Sequence, residues 1–381
     1  MYTNKIRKSR GEVERSSHSP RRPRTHALAT RGRRPREQVS VVAGSSTLFC
    51  YNNYMGKAFF IIGILFLTVG ASLWFWQKQP TPIISPAVPK PTPLTRYSFE
   101  ELRARQYEGS EIKLERVLER EDEFTSYVFS FTTDSKKVTG QANLPAQSGI
   151  PGKKFPVIVM LRGYADKEIY FTGLGTRKAA GEFAKAGFIT LAPDFLGFGG
   201  SDSESANIIE ARLEKPITIL NLLESIKTLP QADINNVFLW GHSNGGQIAL
   251  SVLEVGKSSI PTTLWAPVTR PFPQNVLDYI GELDDQGRMV MASISAFLAN
   301  YDAAQFSVEK YVQDITAPLQ VHQGTGDQLV KVEWTNEFVE KMRELGRETN
   351  YYTYKGDDHN LSRNWDTVVA RDIEFFKKHL Q

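Results

Sequence analysis

The chain has 381 residues, of which 46 are lysine or arginine and 42 are aspartate or glutamate, giving a formal net charge of +4. Its single cysteine, Cys50, excludes an intrachain disulfide and a metal site built from several thiolates. Residues 98–381 suffice for one domain with a full hydrophobic core.

The charge is distributed unevenly along the chain. Residues 1–57 hold 13 lysines or arginines against three acidic residues, a balance of +10 that leaves −6 on residues 58–381. Low hydrophobicity with many serines, prolines and arginines predicts a disordered basic head. No aromatic pattern or motif supports nucleic-acid binding by it, so we expect no nucleic-acid partner. Met55-Gly56-Lys57 directly precedes an apolar run and is typical of a natural start, so residues 1–54 are expected to arise from an upstream start codon.

Residues 58–76 are nineteen consecutive residues without a charge. At about 1.5 Å per residue they nearly span a ~30 Å hydrocarbon core and predict a single transmembrane helix. The basic flank predicts a cytoplasmic N-terminus, a location in the cell membrane and an extracytoplasmic C-terminal domain. The alternative is a cleaved signal peptide and a secreted protein, but the bulky residues 73–76 favour an anchor. A proline-rich linker over residues 77–97 follows.

From about residue 120, apolar strands alternate with amphipathic helices, which is typical of an α/β domain. Two antiparallel strands are predicted to open it, and parallel strands with crossover helices to follow. The predicted strands are 128–131, 138–142, 157–161, 188–192, 237–240, 262–266, 319–322 and 351–354, and the predicted helices include 173–186 and 216–229. Residues 97–122 are predicted to be an acidic helical segment. Residues 268–314 are predicted to be a small helical cap over a cleft, with a surface excursion as the alternative.

The motif Gly241-His242-Ser243-Asn244-Gly245-Gly246 lies between an apolar strand and an apolar helix. This strand–turn–helix setting is typical of a nucleophile elbow, in which a strained serine sits at a helix N-terminus. Gly241 and Gly245 are predicted to relieve the crowding. The sequence therefore predicts Ser243 as a nucleophile, with a merely structural glycine turn as the alternative.

A serine hydroxyl needs a base and an orienting acid, which in this kind of fold follow in the order acid, then histidine. Three histidines follow Ser243. His359 lies in a polar loop after an aromatic strand, whereas His322 and His379 are placed in less suitable settings. We therefore predict His359 as the base, the alternative being a loop histidine bonded to a neighbouring aspartate.

The acid is expected in the loop after the preceding strand. Asp327 follows the Gly-rich turn 324–326 there, and would hold the His359 imidazole in one tautomer. An N-cap role is the alternative for Asp327. Asp357 and Asp358 are second choices because they are so close to His359 in sequence.

These motifs, together with the segment 192–201 that includes Asp194 and Ser201, resemble the α/β-hydrolase fold. The resemblance covers about residues 120–381 and is greatest to the catalytic domain of prolyl-oligopeptidase-type serine peptidases and their esterase relatives. It implies a mostly parallel central sheet with helices on both faces. In the larger members of this family, a β-propeller domain restricts the size of the substrate. The sequence shows no repeats typical of such a propeller.

The resemblance also implies an oxyanion hole and a reaction. The N–H of Asn244 is expected as one donor, and the Gly163–Tyr164 loop supplies the other through the Tyr164 hydroxyl or backbone N–H, unless Tyr164 only packs on the cleft. The expected activity is hydrolysis of a peptide or small ester through an acyl-enzyme, without cofactor or metal ion. A serine peptidase is the first expectation, a carboxylesterase the second, and an inactive binding module the third.

Overall fold

The computed structural model describes residues 93–282, 285 and 287–381. The predicted basic head and transmembrane helix, and most of the predicted linker, lie outside these residues. Within the described part of the chain, no helix has the length and apolar character needed to cross a membrane.

A nine-stranded sheet in the order β1-β2-β3-β5-β4-β6-β7-β8-β9 forms the centre of the domain. The pairs β1–β2, β2–β3 and β3–β5 are antiparallel, and the other five pairs are parallel. This confirms the predicted mostly parallel sheet with antiparallel opening strands. The strands are β1 Lys113–Arg120, β2 Phe124–Thr133, β3 Lys136–Pro145, β4 Phe155–Leu161, β5 Ile189–Pro193, β6 Ala232–His242, β7 Thr262–Trp265, β8 Leu319–Gly324 and β9 Thr349–Tyr354.

Both faces of the sheet are covered, as the side-chain alternation on strand β4 shows. Val157, Val159 and Leu161 belong to one buried cluster, and Ile158 and Met160 to a second. Side chains that alternate in this way point to opposite faces, so β4 must be buried on both. The helices are α1 Phe99–Ala104, α2 Arg177–Lys185, α3 Ile208–Leu213, α4 Lys215–Ser225, α5 Asn244–Gly256, α6 Gln274–Leu277, α7 Arg288–Leu298, α8 Val308–Tyr311, α9 Val332–Glu344 and α10 Trp365–Lys378.

The helices divide between the two clusters. Apolar residues of α1, α4, α5 and α9 join the larger cluster, and those of α2 and α10 join the second. Among the latter, Phe183 and Phe376 pack edge to face with ring centroids 5.7 Å apart. Burial of such side chains stabilises the domain by about 1.5–3 kcal/mol each, so this packing fixes both layers on the sheet.

The segment before strand β2 differs from its prediction. Residues 97–122 contain the short helix α1 but also strand β1, which the sequence analysis did not predict. β1 is an edge strand paired only with β2, and its side chains are exposed or half-buried, so it lacks the apolar alternation of a central strand. Leu94 and Tyr97, assigned to the linker, are buried in the larger cluster, so this part of the chain packs with the domain.

The insertion 268–314 is helical, as predicted, and contains α6, α7 and α8. Phe297 of α7 packs edge to face against Phe272 and Phe306, with centroids 5.2 and 4.9 Å apart. All three side chains are buried in the larger cluster. The insertion is therefore part of the domain's packed core.

Candidate active site

Ser243 sits in a strained turn between strand β6 and helix α5. Its φ of 58° and ψ of −122° are unusual for a side-chain-bearing residue and cost about 1–3 kcal/mol. Four backbone hydrogen bonds hold it there: its N–H donates to the Trp265 carbonyl (2.9 Å), and its carbonyl accepts from the N–H groups of Gly246 (2.9 Å), Val268 (3.1 Å) and Gln247 (3.4 Å). The neighbouring strand β7 and the loop after it therefore enforce the geometry expected of a nucleophile elbow.

The glycines of the motif are required by close approach. A Cβ on Gly245 would lie 1.9 Å from the Leu161 carbonyl oxygen, and one on Gly241 would lie 2.8 Å from the Gly245 oxygen. Larger residues would thus push helix α5 away from the end of strand β4. This agrees with the crowding expected from the sequence.

His359 and Asp327 are brought together from two loops that follow the adjacent strands β9 and β8. His359 Nδ1 lies 2.8 Å from Asp327 Oδ2. A carboxylate oxygen accepts, so Nδ1 carries the proton and Nε2 is left free to accept one. The Asp327 side chain is fully buried and that of His359 is 12% exposed.

Asp327 is fixed by more than the histidine. Its Oδ1 accepts from the backbone N–H groups of Leu329 (2.8 Å) and Val330 (3.0 Å), and its Oδ2 from Gln323 Nε2 (3.1 Å). Burial raises the pKa of Asp327, but the hydrogen bond and charge of His359 and the two backbone donors together hold that pKa below its usual value. The carboxylate therefore stays ionised and can stabilise an imidazolium.

Of the acids that the sequence left open, Asp327 is the one whose side chain contacts the His359 ring. The turn-capping contacts and the His359 contact of Asp327 coexist, because they use different oxygens. The N-cap position of helix α9 is Lys331, whose side chain forms no capping hydrogen bond, so Asp327 does not cap this helix. Asp357 is buried and accepts from backbone groups of its own loop, at Arg363 and Asn364 (both 3.0 Å). The exposed Asp358 likewise accepts from backbone N–H groups of its own loop.

The two other histidines have structural surroundings. His322 is fully buried, with Nε2 2.9 Å from Asp372 Oδ1 and Nδ1 2.8 Å from the Tyr354 hydroxyl. His379 follows helix α10, and its ring centroid lies 4.6 Å from that of Phe375. Neither belongs to the cluster around Ser243.

Sequence reasoning missed His242, which precedes Ser243 and contacts His359. Its Nε2 lies 3.0 Å from the His359 carbonyl oxygen, so this nitrogen must be the donor, and the two rings are 4.7 Å apart. Burial, and then the charge that His359 can carry, lower the pKa of His242 to about 4. A neutral His242 therefore ties the base loop to the elbow. In the sequence, only its position between Gly241 and Ser243 of the motif indicates that His242 lies near the site.

The predicted oxyanion loop faces the elbow. A Cβ on Gly163 would lie 3.0 Å from Ser243 Cβ and 3.6 Å from Ser243 Oγ, so a larger residue would require a small shift of the loop or the elbow. The Tyr164 side chain is 75% exposed. Asn244 is the first residue of helix α5, where backbone N–H groups are free to bind an anion.

Arg162, which sequence reasoning also missed, fixes this loop from behind. Its buried guanidinium donates to the carbonyl oxygens of Gly163 and Asp194, both at 2.9 Å. It also lies over the rings of Phe198 (4.2 Å) and Tyr170 (4.6 Å). Because a peptide N–H points away from its own carbonyl, holding the Gly163 carbonyl also sets the direction of the Tyr164 N–H.

The segment 192–201 acts through Asp194, which is fully buried. Its oxygens accept from the hydroxyls of Thr139 (2.6 Å), Tyr170 (2.7 Å) and Thr172 (2.9 Å). The segment thus ties the oxyanion loop to strand β3. No group of histidine, cysteine and acidic side chains among the described residues is arranged to hold a metal ion.

A model of the prolyl oligopeptidase family matches residues 177–381, more than half of the chain. The chain belongs to the prolyl oligopeptidase family. The matched range holds Ser243, Asp327 and His359, whereas the Gly163–Tyr164 loop precedes it.

Solved structures of low identity share the fold. The acylaminoacyl peptidase of Pyrococcus horikoshii aligns over 68% of this chain and 42% of its own, with 20% identity and a TM-score of 0.53. Dipeptidyl peptidase 4 of Porphyromonas gingivalis aligns over 68% and 36%, with 17% identity and a TM-score of 0.52. The Pyrococcus furiosus esterase Pf2001 aligns over 67% and 93%, with 20% identity and a TM-score of 0.50. These likenesses establish an α/β-hydrolase fold.

One sequence relative is an uncharacterized 31.7 kDa protein of the traX-finO intergenic region of Escherichia coli, 31% identical over 99 residues. The match covers 24% of this chain and 30% of that protein. The chain thus spans less than a third of this relative and less than half of each of the two peptidases.

Proposed function

We propose that this member of the prolyl oligopeptidase family is a serine peptidase that works through an acyl-enzyme on Ser243. The observation that carries the proposal is the His359–Asp327 contact of 2.8 Å beside a serine held at positive φ. An ionised buried aspartate and a histidine with a free Nε2 are the groups that a serine nucleophile needs.

In the proposed reaction, Ser243 Oγ attacks the scissile carbonyl and His359 Nε2 takes its proton. The negative charge that develops on the carbonyl oxygen is stabilised by the Asn244 N–H and by a donor of the Gly163–Tyr164 loop. His359 then gives its proton to the leaving group, and water hydrolyses the acyl-enzyme by the same steps. Losing one oxyanion donor typically costs about 2.7–4 kcal/mol of transition-state stabilisation, so the position of that loop matters.

The test is labelling of the full chain, solubilised in detergent, with a fluorophosphonate probe. We expect labelling of the wild type and of Ser295→Ala, which alters an exposed serine of helix α7, and none of Ser243→Ala. A folded wild type that does not react would refute the mechanism and favour a binding module built on a hydrolase fold. Turnover of peptide anilides beside p-nitrophenyl esters then separates a peptidase from the alternative carboxylesterase.

We also propose, from the sequence alone, that residues 58–76 anchor the chain in the cell membrane with the catalytic domain outside the cytoplasm. Their uncharged length and the basic residues before them support this. The anchored protein should remain in membranes after alkaline carbonate extraction, and its C-terminal domain should be cleaved by external protease. Release of a protein that begins near residue 72 would instead indicate a cleaved signal peptide.

A further inference from the structure

A cavity opens beside Asn244, the residue that follows the candidate nucleophile. It is lined by Arg212 at the end of helix α3, by Lys215 at the start of α4, by Gln247 of α5 and by Asn275 of the insertion. We call it the Arg212–Lys215 pocket. A substrate group placed in it would lie next to the predicted oxyanion donor. The pocket therefore adjoins the reacting bond of the proposed function.

The pocket carries two positively charged side chains that form no ion pair within the described part of the chain. Arg212 donates to Gln247 Oε1 (2.8 Å) and to the Asn275 carbonyl (3.5 Å), both uncharged acceptors. Lys215 Nζ lies 6.0 Å from the centre of the Phe195 ring. Across residues 93–282, 285 and 287–381, no carboxylate forms an ion pair with either side chain.

The nearby acidic residues are already engaged elsewhere. Glu204 pairs with Lys167, Glu210 with Arg96 (2.7 Å) and Glu214 with Lys136 (3.6 Å). These three glutamates belong to the same stretch of chain as the two pocket cations. Glu204 and Glu214 still attract Lys215 through space, but neither forms an ion pair with it.

The pKa values of both cations are lowered in this arrangement, because their charged forms are less well solvated than in water. Burial lowers the pKa of Arg212 to about 10. Burial, followed by repulsion from Arg212 and Arg162, lowers the pKa of Lys215 to about 8, so Lys215 is still mostly protonated at neutral pH. Lys215 is also the first residue of an eleven-residue helix, the end at which the helix dipole disfavours a cation and favours an anion.

Size and hydrogen bonding also fit a small polar ligand. The pocket has a cavity volume of about 40 Å³, which is room for a carboxylate or a few water molecules. Asn275 is 2% exposed, and its Oδ1 has no hydrogen-bond partner in the described chain. An N–H or hydroxyl group elsewhere in the substrate, and not the carboxylate itself, could donate to this oxygen.

We propose that the Arg212–Lys215 pocket binds a carboxylate of the substrate, so that the enzyme prefers esters or peptides with an acidic group near the scissile bond. This inference rests on the proposed function. The carboxylate can belong to a dicarboxylic acyl group or to an acidic amino-acid side chain. Both would place an anion next to two cations.

The test compares substrates that differ only in the carboxylate. The first pair is p-nitrophenyl pentanoate and mono-p-nitrophenyl glutarate, and the second is the p-nitroanilides of acetylglutamine and acetylglutamate. We expect the wild type to favour the acidic member of at least one pair, and the pair that responds identifies the source of the carboxylate. Equal turnover, or preference for the neutral member in both pairs, would overturn the proposal.

Substitutions of the pocket residues test whether the pocket causes the preference for acidic substrates. Lys215→Met and Arg212→Met should lower the acidic-to-neutral ratio of kcat/KM by about 10- to 100-fold. Lys227→Met, an exposed lysine paired with Glu224, is the matched control and should keep the wild-type ratio. If Arg212→Met does not fold, Lys215→Met alone decides. An unchanged ratio in folded Lys215→Met would overturn the proposal.

A direct binding measurement separates this inference from the proposed function. If the full chain hydrolyses none of these substrates, the catalytic proposal fails while the pocket can still be tested by titrating glutarate calorimetrically. Binding by Ser243→Ala and Lys227→Met, but not by Lys215→Met, would support the pocket without any turnover. Absence of glutarate binding, together with absence of acidic preference, would refute it.

Discussion

Substitution of His242 tests whether this residue connects the turn at Ser243 to the loop that carries His359. The quantity measured is the pH dependence of the free energy of unfolding. The structure lowers the pKa of this side chain from 6.5 to about 4, and its Nε2–H donates a hydrogen bond to the His359 carbonyl oxygen. In the unfolded chain His242 regains its ordinary pKa. Acid therefore protonates the unfolded state first and draws the equilibrium toward it.

The sign and size follow from this shift. Above the unfolded pKa of 6.5 both states are neutral at His242 and nothing is lost. As the pH falls from there toward the folded value, stability declines. Since one pKa unit corresponds to about 1.36 kcal/mol, the full shift is worth roughly 3 kcal/mol and the loss at about pH 5 is roughly 2 kcal/mol.

The assay is urea unfolding of the wild type and of His242→Gln at about pH 8 and about pH 5, where the glutamine amide keeps a donor but does not titrate. We expect the wild type to lose roughly 2 kcal/mol more than the variant between the two conditions. Taking the difference cancels the other titrating groups that both proteins share. Equal losses in the two proteins would show that His242 is not held neutral and would refute the reasoning.

Two further substitutions test the catalytic arrangement. Asp327→Asn should keep the fold but lower kcat by about 10³–10⁴-fold, because an amide can donate to Nδ1 and thereby favour the wrong tautomer of His359. Steady-state hydrolysis measures this, with the exposed Asp358→Asn as control, and near-normal turnover by Asp327→Asn would contradict the assignment. Gly163→Ala places a Cβ 3.0 Å from Ser243 Cβ, so the loop must shift, and we expect kcat to fall by about 10²–10³-fold. Gly256→Ala, whose Cβ would meet no atom closer than 3.8 Å, is its control; equal activity of the two alanine variants would show that the loop does not bind the oxyanion.

The parts of the candidate site that follow strands could be predicted from the sequence. Ser243, Asp327 and His359 each lie in a loop just beyond a strand, and neighbouring parallel strands place such loops at one edge of the sheet. The order of strands β6, β7, β8 and β9 then makes the contact between Asp327 and His359 possible. Strand β1 escaped prediction because its side chains are mostly polar and pair on one side only.

Residues that act through contacts across the fold could not be found in this way. Arg162 reads locally as a polar residue after a strand, and only the structure shows its guanidinium on the carbonyls of Gly163 and Asp194. His242 is the variable position of its motif, and its partner lies 117 residues away. Neither position carries a periodic or spacing signal, because the partner of each depends on how distant loops meet.

The charge of the Arg212–Lys215 pocket shows the same limit for substrate prediction. Residues 58–381 carry a net charge of −6, which on its own would disfavour an anionic substrate. At physiological salt, however, exposed charges are screened over about 8 Å, while partly buried ones are screened much less. The positive charge inside the pocket therefore outweighs the negative net charge of residues 58–381 in attracting an anionic group. The pocket keeps its positive charge because three nearby glutamates form ion pairs with other cations, and no described carboxylate forms an ion pair with Arg212 or Lys215. Which charges pair depends on side-chain geometry and cannot be counted from the sequence.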